Sequence, residues 1–387
     1  MTIIPEIESF KADLTAIRHD LHAHPEIGFE ETRTSAIVAE ALKSFGFDEI
    51  HTGIGATGVV GILKGAGGEG RRIGLRADMD ALPMEELTNL PYRSQNPGRF
   101  HGCGHDGHTT MLIGAARYLA RNRDFSGTLV FVFQPAEEGL GGARAMLADG
   151  LFERFPCDEI YGLHNMPDLE IGQVAVFPGK AMAGASFFDI SIKARGSHAA
   201  MPHNSKDAII IAMALGQHLQ TIVSRNVDPL KPAVLSITKM ISGSAYNVIP
   251  EEATLAGTIR FFHDEVGELV RARLREIAAG VAQTYGCEID VDIRDVFTVL
   301  ENDEAATEAL REAAAEIVGS ESVITDPRPT MGSEDFADML KTVPGAYCWV
   351  GHGGTVPLHN PGFILDDEIL PIGASLLARI AEKRLKA

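Results

Sequence analysis

Gly127-Thr128-Leu129-Val130-Phe131-Val132-Phe133 runs directly into Gln134-Pro135-Ala136-Glu137-Glu138-Gly139. The first seven residues, rich in β-branched and aromatic side chains, read as a strand. The next six read as a tight turn that carries two adjacent carboxylates. Working outward, the pattern alternates. Upstream, Thr57 to Leu63 and Arg72 to Ala77 are short β runs joined by a glycine-rich turn, Gly65 to Gly70, and a helix spans roughly Thr109 to Arg121. Downstream lie a helix near Gly142 to Ala148 and a strand at Glu159 to Leu163. At the start, Ile7, Phe10, Leu14, Ile17 and Leu21 form one helical stripe. A second helix runs from about Thr34 to Phe45, with Gly46 as its stop. Strands alternating with helices predict an α/β fold, a mostly parallel sheet with helices on both faces. Ligands of such sheets sit beyond the carboxyl ends of the strands, where Asp78, Glu137, Glu138 and His164 all fall.

From about residue 180 the order changes. Phe187 to Ala194, Ala233 to Met240, Ala253 to Phe262 and Glu288 to Phe297 read as strands, with helices at Asp207 to Val223 and Glu265 to Tyr285. That β-α-β-β-α-β order is ferredoxin-like. The α/β pattern then resumes, with helices near Glu304 to Val318, Asp335 to Leu340 and Asp367 to Leu385 and a strand at Ala346 to Gly351. The expected organisation is a catalytic domain in two parts, 1–179 and 298–387, interrupted by an inserted ferredoxin-like α+β domain at 180–297.

With 387 residues, 45% hydrophobic and 22% charged, the composition is that of a globular protein. A net charge of −19 argues against nucleic acid or an anionic membrane as partner, since both call for a basic face. No apolar stretch approaches the ~20 residues that span a bilayer, and Met1 to Ile7 shows no signal-peptide pattern. Cysteines at 103, 157, 287 and 348 lack paired spacing, which fits a reducing cytoplasm.

His101-Gly102-Cys103-Gly104-His105-Asp106-Gly107-His108 packs sulfur, nitrogen and oxygen donors among glycines. These are the ligands of zinc and its neighbours. Gly162-Leu163-His164-Asn165 and Leu358-His359-Asn360-Pro361 add histidines, and Glu137-Glu138 adds carboxylates. Four separate loops thus converge on a scattered metal centre. Adjacent residues leaving a strand point apart. One glutamate can therefore bind metal while the other takes a proton from activated water. Cys103 is either a ligand or a nucleophile activated by His105 or His108; ligation accounts for more residues.

Several further motifs complete the pattern: His22-Ala23-His24-Pro25-Glu26, Leu75-Arg76-Ala77-Asp78-Met79-Asp80-Ala81-Leu82-Pro83, Gly196-Ser197-His198-Ala199, Asn247-Val248-Ile249-Pro250 and Met331-Gly332-Ser333-Glu334-Asp335-Phe336. With the runs above they resemble, in order along nearly the whole chain, the hippurate hydrolase, indole-acetyl-amino-acid hydrolase and N-acyl-amino-acid amidohydrolase branch of the dinuclear metallopeptidases. Aminoacylases and glutamate carboxypeptidases are wider relatives. The resemblance implies two divalent ions (zinc, manganese, cobalt or nickel) bridged by Cys103. Glu138 and His359 would complete one site and His105 and His164 the other, with Glu137 as general base. It implies that His198 stabilises the oxyanion, often from the partner subunit of a homodimer or homotetramer. Asn247 and Arg260 would hold the substrate carboxylate. Many relatives have a metal-binding histidine two residues before the aspartate that matches Asp78. Here that position is Arg76, which has no free lone pair, and Asp78 is expected to orient a ligand rather than bind metal.

His22, His24, Asp106 and His108 are expected to play structural or supporting roles. Phe187, Phe188, Met182 and Met331 are candidates for an acyl pocket or for plain core. The implied activity is metal-dependent cleavage of N-acyl amino acids. Its rivals are a cysteine-nucleophile hydrolase and an inert binding protein for acylated amino acids.

Overall fold

Arg72–Asp78, Thr128–Gln134, Glu159–Met166 and Gly345–Gly351 are buried almost end to end, as strands covered on both faces must be. They form the middle of the larger of two units in a computed structural model, which describes residues 1–386. The larger unit comprises Met1–Ala181, Glu301–Arg328 and the chain from Asp335 onward; the smaller comprises Met182–Leu300 and Pro329–Glu334. The sequence reading left that last hexapeptide in the resumed α/β part. Its backbone instead bonds to the smaller unit, with Ala183 N donating to the carbonyls of Thr330 and Gly332.

In chain order the larger unit begins with helices α1 (Pro5–Ser9), α2 (Lys11–Ala23) and α3 (Thr32–Ser44), then strands β1 (Glu49–Ile54), β2 (Gly58–Lys64) and β3 (Arg72–Asp78). Helix α4 (His105–Arg121), β4 (Thr128–Gln134) and β5 (Glu159–Met166) follow. The sheet order is β1-β2-β4-β3-β5, then Gly345–Gly351, Val174–Ala175 and Val323–Ile324. Its centre is parallel, β4 to β3 to β5 to Gly345–Gly351, while β1 and β2 form an antiparallel edge. Three details differ from expectation or add to it. The opening stripe is two helices, because Phe10 N bonds back to Ile7 O in a tighter turn; Ile7, Phe10, Leu14 and Leu21 are buried all the same. Strands β2 and β3, which the glycine-rich turn joins in the chain, are separated in the sheet by β4, a placement the sequence left open. Strand β1 (EIHTGI) has too few apolar residues to announce itself.

The smaller unit is an antiparallel four-stranded sheet ordered Ala233–Ser242, Glu252–Phe261, Gly184–Lys193, Glu288–Phe297. The first and last strands in sequence are adjacent at its middle and edge, the ferredoxin-like arrangement that the element order predicted. Helices Ala208–Arg225 and Asp264–Tyr285 share a core with it that includes Phe188, Ile190, Leu215, Leu255, Val270 and Leu274. Burial alternates along Glu288–Phe297, as expected for a sheet covered on one face only.

Candidate metal centre

The run 101–108 is not a single loop. Gly104 takes φ 90°, and a Cβ there would collide with the Asn165 side chain. His105 then opens α4 instead of preceding it, so the sequence expectation of a helix from Thr109 starts a turn too late. Helical spacing sets His105 and His108 on one face. Likewise His164 lies within β5, which runs three residues past the expected end at Leu163, because the buried run continues through Asn165.

Both ring nitrogens of His108 are committed. Nδ1 lies 2.7 Å from Asp78 Oδ1, and Nε2 accepts from Asn165 N at 2.9 Å. His105 is different. Its Nδ1 faces Asp80 Oδ1 at 3.1 Å, while its buried Nε2 has no hydrogen-bond partner among the described residues. Such an orphan ring nitrogen is costly unless something binds it. His164 Nδ1 faces the Asn165 carbonyl at 2.6 Å, leaving Nε2 3.4 Å from Cys103 Sγ. His359 has φ 61°, is anchored by donation from its N–H to Gly102 O, and brings Nε2 within 3.3 Å of Cys103 Sγ and 3.2 Å of Glu138 Oε1. Two donor groups share Cys103: Cys103-His105-His164 and Cys103-Glu138-His359, each with its ligand atoms within 4.8 Å of one another. Sulfur, imidazole and carboxylate at these separations fit a pair of divalent ions.

The turn after β4 separates the paired glutamates. Ala136 takes φ 53°, Glu138 turns toward His359 and His105, and nearly buried Glu137 accepts from Asp335 N at 3.4 Å. Arg76 does not enter the ligand groups. It is fully buried and donates to Asp78 Oδ2 at 2.8 Å and Gln134 Oε1 at 2.9 Å. Asp80 is the residue that the sequence reading quoted without giving it a role. It faces His105 and also accepts from Glu138 N at 3.0 Å. The signal was present, since residues two apart in extended chain point the same way and Asp80 follows Asp78.

Burial and the charges of Glu138, Glu137 and Asp78 push the Cys103 thiol well above its ordinary range. Burial, reinforced by His108, holds His164 far below its own and therefore neutral. Burial alone would lower His105 too, but Asp78, Asp80 and Glu138 outweigh it and raise it to about 10. Burial disfavours the Asp78 anion, yet His105, His108 and Arg76 hold its pKa well down. The pocket thus carries excess negative charge and a thiol that ionises only beside a cation, as a metal site requires.

His22, buried, bonds through Nδ1 to Asp106 Oδ2 at 2.8 Å and ties α2 to α4; His24 bonds to its own helix at Asp20 O. In the smaller unit His198 is exposed and accepts from Ala200 N at Nδ1, which puts its ring proton on Nε2. Asn247 is its neighbour across a short β pairing, accepting from Ala199 N. Arg260 is half-buried over the Phe187 ring and donates to Thr258 Oγ1 and Ser333 Oγ. Phe188 belongs to the core of that unit, not to a pocket.

The profile of peptidase family M20/M25/M40 matches residues 74–383. The chain belongs to this family. Hippurate hydrolase of Campylobacter jejuni is 43% identical over 386 residues, covering 100% of both chains. N-acetylcysteine deacetylase of Bacillus subtilis is 39% identical and covers 97% of each. A crystal structure of a Bacillus subtilis protein, described as a dinuclear metal binding peptidase from the M20 family, superposes with a TM-score of 0.83. It is 36% identical and covers 98% of this chain and 99% of its own. With an M20 fold and these donor groups, the centre supports two divalent ions. No helix among the described residues is long and apolar enough to cross a membrane.

Proposed function

We infer that this M20 member is a metal-dependent amidohydrolase that splits N-acyl and N-aroyl amino acids of the hippurate type into a carboxylic acid and a free amino acid. The observation that carries the reading is Cys103 standing in both donor groups at once. In this reading Cys103, His105 and His164 would hold one ion, and Cys103, Glu138 and His359 the other. Zinc, manganese, cobalt and nickel all suit that mixed set. Divalent ions held there would supply an acidified water, its pKa brought from about 15.7 toward ~7, and Lewis acidity for the amide carbonyl. Glu137 takes the proton of the attacking water and delivers it to the leaving nitrogen. Asp80 and Asp78 keep His105 and its surroundings oriented.

His198, with its proton on Nε2, donates to the oxyanion, and Asn247 and Arg260 receive the substrate carboxylate. A homodimer is supported by exposed apolar side chains on the smaller unit: Ile210 and Met213 on a helix, Met240 and Ile241 on an edge strand. Four free cysteines suit a cytoplasmic setting.

The deciding experiment assays benzoyl-, acetyl- and indole-acetyl-amino acids before and after chelation, with each metal restored in turn. Activity that survives chelation and is lost on thiol alkylation would install Cys103 as a nucleophile instead. The raised Cys103 pKa disfavours that rival.

Two variants probe the smaller unit. Arg260→Ala is expected to raise KM about 10–100-fold for substrates with a free carboxylate and to leave carboxylate-amidated analogues unchanged. Equal effects on both would remove the clamp. His198→Ala is expected to lower kcat about 10²–10³-fold with metal content intact. If His198 serves the partner's site, mixing the His198→Ala and Glu137→Gln proteins restores activity, because one site of the heterodimer then carries neither lesion.

A further inference from the structure

The segment following His24 takes no part in the chemistry above, yet it touches both turns that build the centre. Ala81 N donates to Glu26 O, and Ile27 pairs with Ala81, one residue beyond Asp80. Gly28 lies against the other turn so closely that a Cβ there would meet Ala136 Cα and Cβ at 2.8 Å. Glu31 finishes the contact. Its carboxyl is fully buried, with Oε1 accepting from Ala136 N at 2.8 Å and Oε2 from Thr57 Oγ1 at 2.5 Å. The segment is itself fixed, because Glu26 accepts from the N–H groups of Arg33 and Thr34 at the start of α3.

Ala136 is the pivot of the glutamate pair. It is fully buried and left-handed, its N–H held by Glu31 and its C=O by Gly142 N. Non-glycine residues adopt that conformation only when their surroundings enforce it. Without Glu31, a buried N–H would have no acceptor, and the peptide would rotate to find one. Such a rotation swings Glu137 and Glu138 together.

We propose that Glu31 is a positioning residue for the hydrolysis: it locks left-handed Ala136 and so sets the divergent directions of Glu137 and Glu138. The role belongs to the acceptor oxygen, not to the charge. Burial pushes this carboxyl up to about 7; in the neutral acid one oxygen still accepts from Ala136 while the hydroxyl donates to Thr57.

The inference rests on the roles given to Glu137 and Glu138, which Glu137→Gln tests on its own. Glu31 is tested by two substitutions of similar size, Glu31→Gln and Glu31→Met, assayed on benzoylglycine at saturating metal. Glutamine keeps an acceptor for Ala136 and gives Thr57 a donor, so its kcat should stay within about threefold of wild type. Methionine keeps only the volume, so its kcat should fall about 10–100-fold with KM within twofold, the signature of a displaced catalytic group. A methionine variant with near-wild-type kcat overturns the proposal, as does a glutamine variant that loses as much as methionine. If the methionine variant fails to fold, Gly28→Ala presses on the same turn while leaving Glu31 in place. It should show the same kcat-selective loss, and a folded Gly28→Ala enzyme with full turnover overturns the proposal equally.

Discussion

Glu137→Gln is expected to keep the metal content of the wild type and lose turnover by about 10²–10⁴-fold, the usual worth of general acid–base help. Three features make the substitution clean. Glutamine has nearly the same shape, and its oxygen can still accept from Asp335 N as Glu137 does. Glu137 stands outside both donor groups that contain Cys103, so the substitution leaves those two groups intact. It is also almost fully buried, which leaves bulk water little room to replace it as proton carrier. The measurements are metal content per chain and single-turnover rate. A variant that retains more than a tenth of wild-type kcat takes the base role away from Glu137.

Cys103→Ala should act on the opposite term. One sulfur lies 3.4 Å from His164 Nε2 and 3.3 Å from His359 Nε2, so removing it thins both donor groups together. At least one equivalent of metal per chain should be lost, and turnover with it. The carboxylates of Glu138, Glu137 and Asp78 would then face one another with less to neutralise them. The metal-free variant should nevertheless fold, because Cys103 leaves only a small cavity at its buried position. Metal content equal to wild type would mean that the thiol is not a ligand. Full activity in the alanine variant would exclude both the ligand and the nucleophile roles.

The sequence announced the parts of this protein that depend on periodicity. The unbroken apolar run before Gln134 marked a strand buried on both faces, and the β-α-β-β-α-β order marked the ferredoxin-like unit down to its strand order. Residue chemistry pointed to a metal centre on these loops, and the family resemblance to Cys103, His105, Glu138, His164 and His359, which the fold gathers although His359 follows Cys103 by 256 positions. What periodicity hides is orientation. Nothing in the spacing of 101–108 says that a helix begins at His105, because that start depends on Gly104 packing against Asn165, far along the chain. Glu31, and the second contact of Asp80, were missed for a related reason. Each rests on a backbone N–H, donated by Ala136 to Glu31 and by Glu138 to Asp80, and backbone partners leave no trace in side-chain identity.

The larger unit closes late in synthesis. Its sheet places Gly345–Gly351 directly beside β5, which ends nearly 180 residues earlier in the chain. At roughly 5–20 residues per second, the ribosome delivers His359 about 13–50 s after Cys103. Until Gly345–Gly351 is made β5 has an open edge, and the Cys103 thiol lacks the His359 ring beside it. On the proposed ligand roles, a chain that stops short of His359 lacks one donor of the Cys103-Glu138-His359 group and is expected to hold less metal.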